Sequence, residues 1–329
     1  MKINVCFASD NNYVKYLTVS MASILKNANI EDELSFYILE NNIADVDKCK
    51  LLELKKIKDC KIDFIPVQEQ IFQELPKYNL KYVNRTAYYR YLIADILKDI
   101  DKIIYLDVDV IVLSSLKPLF MENIDNYYLA GIEDICYYYH NKIYDTNYRN
   151  FINSGVLLIN LKLWREEKIS TKLLDITKKN GNNFPFGDQE AINIVCSEKI
   201  KLVALSWNVQ ETFFEINNLL CHPLKKQIIK AFKNIKIIHY TSIKKPWISY
   251  TPLRSYFVKY SKFAPFDYST DLLFRLKILS EFVIYWILSF CFLLKFIISP
   301  VIKIYKEKQY IKIKLFSLFE FKVYKIINN

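Results

Sequence analysis

An apolar β-type run, KIIYLDVDVIVL at Lys102 to Leu113, carries two aspartates, Asp107 and Asp109, where a buried strand should carry none. Side chains two residues apart on an extended segment point the same way, so the pattern predicts a strand with both carboxylates on one face. Two neighbouring buried carboxylates need a cation or a proton between them. The simplest cation is a divalent metal, and oxygen ligands favour Mg²⁺ or Mn²⁺. The alternative is that Val108 faces the core and both aspartates are solvated at a strand exit.

The composition indicates one large α/β domain with an appendage, since the chain has 329 residues and 52% of them are hydrophobic. The net charge is +11, but the last 35 residues hold eight lysines and two glutamates, so +6 of it lies there. The charge therefore belongs to a tail, and no nucleic-acid partner is expected. Seven scattered cysteines without a C-x-x-C pair indicate neither a disulfide framework nor a zinc site, and favour a reducing, cytoplasmic compartment.

The first third of the chain alternates strands and helices in the manner of a Rossmann-like half. Predicted strands are Ile3 to Phe7, Leu34 to Leu39 and Lys61 to Pro66, and predicted helices are Val14 to Lys26 and Asp45 to Lys58. A further helix, Arg85 to Leu97, leads into the aspartate strand. No G-x-G-x-x-G or G-x-x-x-x-G-K-[ST] loop is present, so a bound nucleotide would need a metal for its phosphates.

Polar residues recur where predicted strands end, and each has a plain structural alternative. Asp10, Asn12 and Tyr13 follow the first strand and form either a binding crevice or an ordinary turn. Asp188 opens a short helix and can be its N-cap. His239 follows the last apolar strand, where a lone histidine is more often structural than a ligand.

Five motifs in order carry a family resemblance: FASDNNY at Phe7 to Tyr13, TAYYR before YLDVDVIV, NSGVLLINLKLWR, GDQEAIN, and HYTSIKKPW from His239. The chain resembles glycosyltransferase family 8, in particular the bacterial lipooligosaccharide α-galactosyltransferases, over roughly residues 1–250. The resemblance implies a GT-A fold, with a Rossmann-like mixed central sheet flanked by helices. It also implies a hexosyltransferase of EC 2.4.1 type that moves galactose or glucose from a UDP-sugar to a saccharide acceptor with retention, using Mn²⁺ or possibly Mg²⁺.

The same resemblance assigns roles by position. The metal ligands would be Asp107, Asp109 and His239. The UDP moiety would be held by Ala8, Asp10, Asn12, Tyr13, Val108 and Lys245. The donor sugar would be held by Arg90, Asp134, Asn153, Asp188 and Gln189. The residues closest to the chemistry would be Gln189, Asp188 and Lys245, with Lys245 adding positive charge to the leaving group.

Two departures from the family pattern stand out. Ser242 occupies the position, three residues after the histidine, where related sequences have glycine, which brings close backbone approach to the phosphate into question. Glu133 and Asp134 leave the alignment there ambiguous by one residue.

Gln189 is an amide and a poor nucleophile, so we favour same-face attack over a covalent intermediate, with Asp188 as a positioning group. The acceptor contacts are expected in Tyr137 to Arg149 and Glu211 to Leu220.

The sequence predicts a catalytic domain over residues 1–265 and a basic, hydrophobic, helical tail over residues 266–329. The uncharged core of the tail, Phe282 to Leu294, is shorter than the roughly 20 residues that span a bilayer. We therefore expect interfacial association with the inner face of the membrane, which would suit a glycolipid acceptor in lipopolysaccharide, capsule or other surface-glycan synthesis. A single transmembrane helix near 278–302 and a helix buried against a partner are the alternatives.

Two other classes of protein compete with the transferase interpretation. A haloacid-dehalogenase-type phosphatase also has an apolar strand with D-x-D, but Ile111 stands where that class has Thr or Val, and Ile192 stands where its later aspartate belongs. The other is a non-catalytic, membrane-tethered protein that binds nucleotide sugars.

Overall fold

The computed structural model describes residues 1–76, 85–137, 150–214, 223–268, 272–298, 302–306, 310–315 and 319–324. The chain divides into two units, Met1–Ser269 and Thr270–Asn329.

The first unit is built on a seven-stranded mixed sheet in the order β3-β2-β1-β4-β7-β6-β8. Its strands are β1 Lys2–Asp10, β2 Glu33–Asn41, β3 Cys60–Pro66, β4 Lys102–Leu106, β6 Leu129–Glu133, β7 Ile152–Asn160 and β8 Ile200–Leu202. Strands β1 to β4 pair in parallel, whereas β7 pairs antiparallel with both β4 and β6. A second, three-stranded sheet has the order β5-β10-β9, formed by β5 Val110–Val112, β9 Val209–Gln210 and β10 Ile237–His239.

Both faces of the central sheet are buried, which explains why its strands are almost continuously apolar. Along β1, Val5 and Phe7 belong to one hydrophobic cluster, while Cys6 and Ala8 belong to the cluster on the opposite face. This alternation is the period of two expected of a strand. The predicted mixed α/β architecture is confirmed.

Helices cover the two faces. The α-helices of the first unit are α1 Val14–Asn27, α2 Asp45–Leu52, α3 Ile93–Ile96, α4 Lys117–Phe120, α5 Leu161–Glu166, α6 Ile169–Asn180, α7 Asp188–Cys196, α8 Lys225–Phe232 and α9 Arg254–Ser261. Short 3₁₀ helices lie at Glu53–Lys56, Glu69–Phe72, Arg85–Leu92, Gly181–Asn183, Ser197–Lys199, Leu205–Trp207 and Glu211–Phe214. The segment predicted as one helix from Arg85 to Leu97 is thus mostly 3₁₀, with one α-helical turn at its end.

The prediction of a single strand over Lys102 to Leu113 is wrong, because the chain turns at the two aspartates. β4 ends at Leu106 in the central sheet and β5 begins at Val110 in the second sheet. The Ser20 hydroxyl of α1 is 2.7 Å from Val108 O and 2.6 Å from Val110 O, so it supports the carbonyls of the turn. The carboxylates therefore converge by tertiary structure and not by strand periodicity.

The second unit contains α10 Leu272–Ile298 and a three-stranded antiparallel sheet formed by β11 Ile302–Lys306, β12 Tyr310–Leu315 and β13 Phe319–Tyr324. The predicted helix is present as α10, but the described part of its basic continuation forms strands, so the expectation of a helical tail holds only for the first part of this unit. Among the described residues, no helix combines the length and the apolar character needed to cross a membrane.

Candidate active site

A cavity of about 540 Å³ opens where β1, β4 and β6 end and β7 begins. The residues predicted for the site that line this cavity are Ala8, Asp10, Tyr13, Arg90, Asp107, Val108, Asp109, Asp134, Asn153, Asp188, Gln189, His239 and Lys245. Asn12 is the exception, since it is exposed and does not line the cavity. Residues from positions 8 to 245 thus meet at the edge of the sheet where ligands of α/β proteins bind.

Two carboxylates and one imidazole form a cluster that could hold a metal ion. Asp107, Asp109 and His239 each offer one ligand atom, and these atoms lie within 4.8 Å of one another. His239 Nε2 is 3.2 Å from Asp109 Oδ1 and 3.7 Å from Asp107 Oδ2. Neighbouring ligands of an octahedral ion with bonds of about 2.1 Å lie about 3 Å apart, so the donor set and its spacing fit Mg²⁺ or Mn²⁺. Asp109 Oδ1 is also buried without a hydrogen-bond partner, which fits an oxygen that binds a cation.

Gly155 keeps this cluster open. A Cβ at this position would lie 2.5 Å from Asp107 Oδ2 and 2.2 Å from His239 Cε1, well inside van der Waals contact. The backbone of Gly155 also accepts the Asp107 N–H at 2.9 Å. The sequence interpretation missed this residue, although the chain has only 4 glycines and this one follows Asn153 and Ser154 directly.

A buried lysine neutralises the cluster on its other side. Lys245 Nζ lies 2.6 Å from Asp109 Oδ2 and 2.6 Å from Tyr240 O. Burial by itself would raise the pKa of Asp109, but Lys245 and His239 outweigh it and hold that pKa well below its usual range. Burial alone would lower the pKa of His239, yet Asp109 and Asp107 raise it. The Asp109 carboxylate is therefore held ionised, with Lys245 and His239 as its charge partners.

Arg90 joins the two halves of the site. Its Nη2 donates to Asp107 Oδ1 at 3.0 Å, its Nη1 donates to Ser154 O at 2.7 Å, and its Nε lies 3.2 Å from Asp188 Oδ2. The guanidinium also lies over the Tyr105 ring, with 4.6 Å between its central carbon and the ring centroid. Arg90 is therefore not the solvated helix charge that its position in the sequence would ordinarily suggest.

Asp188 is buried at the start of α7, and one of its carboxylate oxygens accepts no hydrogen bond. Burial raises the pKa of Asp188 to about 6, and Arg90 opposes this shift. Its Oδ2 has no hydrogen-bond partner, because the nearby Arg90 Nε donates to Ala87 O instead. Gly187 is the N-cap residue of α7 and Asp188 is the first helical residue, so the N-cap alternative does not describe Asp188. A buried carboxylate oxygen at a cavity wall that accepts no hydrogen bond suits a hydroxyl donor from a ligand, even though Arg90 lies nearby as an ion-pair partner.

Asp134, Asn153 and Gln189 form a compact polar group beside Asp188. Asn153 Nδ2 donates to Asp134 Oδ2 at 3.2 Å and to Gln189 Oε1 at 3.1 Å, and Gln189 Nε2 donates to Asp134 Oδ2 at 3.0 Å. All three side chains are buried. Such preorganised, mutually oriented polar groups suit a sugar ring with several hydroxyls.

The Asp10 carboxylate orders the turn after β1. Its Oδ1 accepts the backbone N–H groups of Asn12 at 2.9 Å and Tyr13 at 3.1 Å, just before α1 begins. Asp10 and Tyr13 nevertheless line the cavity. The turn alternative and the binding-crevice alternative are therefore compatible for these two residues.

Glu211 organises the loop between His239 and Lys245, and the sequence interpretation assigned it no such role. Its carboxylate accepts the N–H of Thr241 at 2.7 Å, the Thr241 hydroxyl at 3.1 Å and the N–H of Ser242 at 3.0 Å. Ser242, the residue that replaces the family glycine, thus uses its N–H internally. Of the segments expected to contact the acceptor, residues 138–149 and 215–220 lie outside the described residues.

A mixed sheet whose strand ends bring carboxylates and an imidazole together is the arrangement of the GT-A class of α/β proteins. Comparison with known proteins agrees, since the model of the family "Glycosyl transferase family 8" matches residues 4–251. A Haemophilus influenzae protein whose name places it among glycosyltransferases is 34% identical over 252 residues, 74% of this chain and 73% of that protein. The chain belongs to glycosyltransferase family 8.

Two further proteins are similar to this chain, one in sequence and one in solved structure. A lipopolysaccharide 1,3-galactosyltransferase of Salmonella typhimurium is 24% identical over 279 residues, 81% of this chain and 80% of that protein. The crystal structure of the galactosyltransferase LgtC in complex with donor and acceptor sugar analogs matches with a TM-score of 0.70 and 24% sequence identity. That match covers 84% of this chain and 100% of the other, and it shows the shared GT-A fold.

Proposed function

We propose that this glycosyltransferase moves a hexose, galactose or glucose, from a UDP-sugar to a saccharide acceptor with retention at the anomeric carbon. The observation that carries the proposal is the Asp107, Asp109 and His239 cluster, which shares one cavity with the polar group around Asp188. A metal-ligand set beside a set of sugar-compatible groups is what a nucleotide sugar requires. The family-wide use of such donors supports the same assignment.

Each end of the cavity has a role in this proposal. Asp107, Asp109 and His239 would hold Mn²⁺, or Mg²⁺, and the bound ion would supply Lewis-acid stabilisation of the departing diphosphate. Lys245, which is 2.6 Å from Asp109 and buried, would turn its ammonium to the same leaving group. Ala8, Asp10, Asn12, Tyr13 and Val108 would hold the uridine and ribose. Asn12 has the weakest support in this set, since it does not line the cavity.

The sugar would be held by Arg90, Asp134, Asn153, Asp188 and Gln189. The amide of Gln189 is committed internally, because its oxygen accepts from Ser154 N at 3.0 Å and its nitrogen donates to Asp134. A neutral amide so engaged is a poor nucleophile, which favours same-face attack with Asp188 as a positioning carboxylate. Asp188→Asn would then keep substantial activity, whereas a hexose trapped covalently on Asp188 would overturn this mechanism.

The acceptor in this proposal is a saccharide or glycolipid of lipopolysaccharide, capsule or another surface glycan. The lipopolysaccharide galactosyltransferase among the relatives supports this class. Peripheral association with the inner face of the membrane is part of the proposal. It is supported by the exposed apolar side chains of α10, which include Leu276, Leu279, Phe282, Val283, Ile284, Trp286 and Ile287. Vesicle co-sedimentation of the full chain would test this part, and equal recovery in the supernatant with and without anionic lipid would reject it.

The decisive experiment measures UDP release from a panel of UDP-sugars with Mn²⁺, Mg²⁺ or a chelator, in the wild type and in Asp109→Ala. We expect metal-dependent release from UDP-galactose or UDP-glucose that Asp109→Ala abolishes. The control Asp101→Ala, which removes an exposed carboxylate paired with Arg165, keeps the activity. Absence of turnover with every donor and metal would favour the non-catalytic binding protein. Release of inorganic phosphate from phosphomonoesters would favour the phosphatase.

A further inference from the structure

The orientation of a chain of buried amides in the site can be deduced from backbone groups whose donor character is fixed. The N–H of Gly155 donates to one side-chain atom of Asn153 at 3.1 Å, so that atom must be the amide oxygen Oδ1. The same Oδ1 lies 2.9 Å from the side chain of Asn208. Because Oδ1 only accepts hydrogen bonds, the Asn208 atom that faces it must be the donor Nδ2.

This assignment fixes the other end of Asn208. With Nδ2 turned toward Asn153, its oxygen Oδ1 faces His239 Nδ1 at a distance of 3.0 Å. Since an amide oxygen only accepts, the proton of the neutral imidazole must sit on Nδ1. The lone pair of Nε2 then points toward Asp109 and Asp107, 3.2 Å and 3.7 Å away.

Asn153 continues the chain toward the proposed sugar end. Ser154 N–H donates to Gln189 Oε1 at 3.0 Å, which fixes that amide as well. Asn153 Nδ2 donates to the same oxygen and to Asp134 Oδ2. Asn208 is fully buried, so water does not compete for its hydrogen bonds. Asn208 therefore connects the imidazole to Asn153, which in turn contacts Gln189 and Asp134 in the wall of the cavity.

We propose that Asn208 is a positioning residue that sets the tautomer of His239, so that Nε2 is the nitrogen available to a metal ion. The proposal rests on the proposed function for the identity of the ligand, but not for the tautomer itself. Partners that accept the second N–H of a ligand histidine commonly fix its ring orientation and raise its affinity for the metal. Asn208 lies 31 residues before His239, and no motif in the sequence marks it.

The tautomer can be measured directly in the wild-type protein. Long-range ¹H–¹⁵N spectra of ¹⁵N-histidine-labelled protein, at an alkaline pH where the ring is neutral, separate the protonated nitrogen from the one with a lone pair. The chain has three histidines, and the signal absent from His239→Gln identifies the relevant one. We expect the proton on Nδ1. A neutral ring with its proton on Nε2 would overturn the proposal without any variant of Asn208.

Two substitutions separate positioning from packing. Asn208→Leu has a similar size and offers no acceptor, so we expect it to lose the Nδ1-protonated form and to weaken Mn²⁺ binding about 10- to 100-fold. Asn208→Asp presents an oxygen to Nδ1 in either protonation state, and we expect it to restore the tautomer and most of the Mn²⁺ affinity. The control Asn160→Leu removes side-chain hydrogen bonds to Leu163 N and Ile124 O at the other end of β7 and should leave both unchanged.

Mn²⁺ binding is read from the electron paramagnetic resonance signal of the free ion, in the absence of any sugar nucleotide. Equal Mn²⁺ affinity and an unchanged tautomer in Asn208→Leu would overturn the proposal. Failure of Asn208→Asp to show the tautomer that Asn208→Leu loses would do the same, because packing alone would then explain the loss. If the wild type binds no Mn²⁺, the proposed function fails, while the spectra of the wild type and both variants still decide the role of Asn208.

Discussion

Lys245 Nζ lies 2.6 Å from Asp109 Oδ2, so a buried ammonium contacts one of the carboxylates that we assign to the metal. The cluster thus has an internal cation whenever no ion is bound. Once a metal ion balances the negative charge of Asp109, the Lys245 ammonium is no longer needed for that purpose. The ammonium could then contact a phosphate. The pair therefore links metal binding to the availability of Lys245.

Lys245→Met should destabilise the metal-free protein, because it leaves Asp109 buried beside His239 and Asp107 with one cation fewer. The expected loss in the free energy of unfolding is on the order of 3 kcal/mol. Added Mn²⁺ should recover more stability in the variant than in the wild type, as measured by thermal unfolding with and without the ion. Lys244→Met, a change at an exposed neighbour, is the control. Identical melting temperatures for wild type and Lys245→Met without metal would contradict this view of the pair.

Gly155→Ala should abolish the metal site while leaving the fold in place. Its Cβ would overlap His239 and Asp107, and displacement of ligands by about 1 Å costs on the order of 100-fold in kcat/KM. The measurements are Mn²⁺ affinity and UDP release. Gly181→Ala is the matched control, because a Cβ there would contact Pro76 and Thr177, neither of which lines the cavity. Wild-type Mn²⁺ affinity in Gly155→Ala would show that the cluster is not the metal site.

Asp188 should make stability depend on pH in a defined window. Its pKa of about 6 in the folded protein exceeds the usual value of about 3.9, so the folded state holds this proton more tightly than the unfolded state. The resulting stabilisation is complete below about pH 4 and is lost as the pH rises to about 6, by about 3 kcal/mol. Asp188→Asn cannot ionise and should lack this loss.

Urea unfolding of both proteins between pH 4 and 7 measures the effect as a difference of two profiles. The stability of Asp188→Asn relative to the wild type should increase between pH 4 and 6 and stay level above that range. Parallel profiles across the whole range would show that Asp188 is not held protonated by burial.

Glu211→Ala should weaken UDP binding by releasing the loop that carries Lys245. Three hydrogen bonds from Thr241 and Ser242 to this carboxylate are lost, and bonds to charged acceptors contribute about 1.5–3 kcal/mol each. Much of the free energy of these hydrogen bonds contributes to the stability of the fold, and only the remainder contributes to UDP binding. We therefore expect UDP affinity to fall about tenfold, measured by calorimetry with Mn²⁺ present. Glu198→Ala, at an exposed position, is the control. Unchanged UDP affinity in Glu211→Ala would show that this loop does not contribute to nucleotide binding.

Local patterns in the sequence were enough to predict the order of the first strands and helices, because apolar runs of strand length and amphipathic helices follow from local periodicity. The sequence also indicated two of the candidate metal ligands, Asp107 and Asp109, since two aspartates in an apolar run stand out, whereas His239 was added by the family resemblance. Val14 to Lys26 was predicted as a helix and α1 is Val14–Asn27, which shows how well such local signals work.

The contacts that those residues make depend on the tertiary structure. The turn at Asp107 to Asp109 depends on Ser20, which lies far away in the sequence. The approach of His239 to Asp109 depends on the antiparallel pairing of β10 with β5, which places His239 opposite Val110. No local pattern marks Gly155, Asn208 or Glu211, because glycine, asparagine and glutamate have many ordinary structural roles in proteins. Their roles come from distances between atoms of different strands and loops, and periodicity along the chain contains no information on such distances.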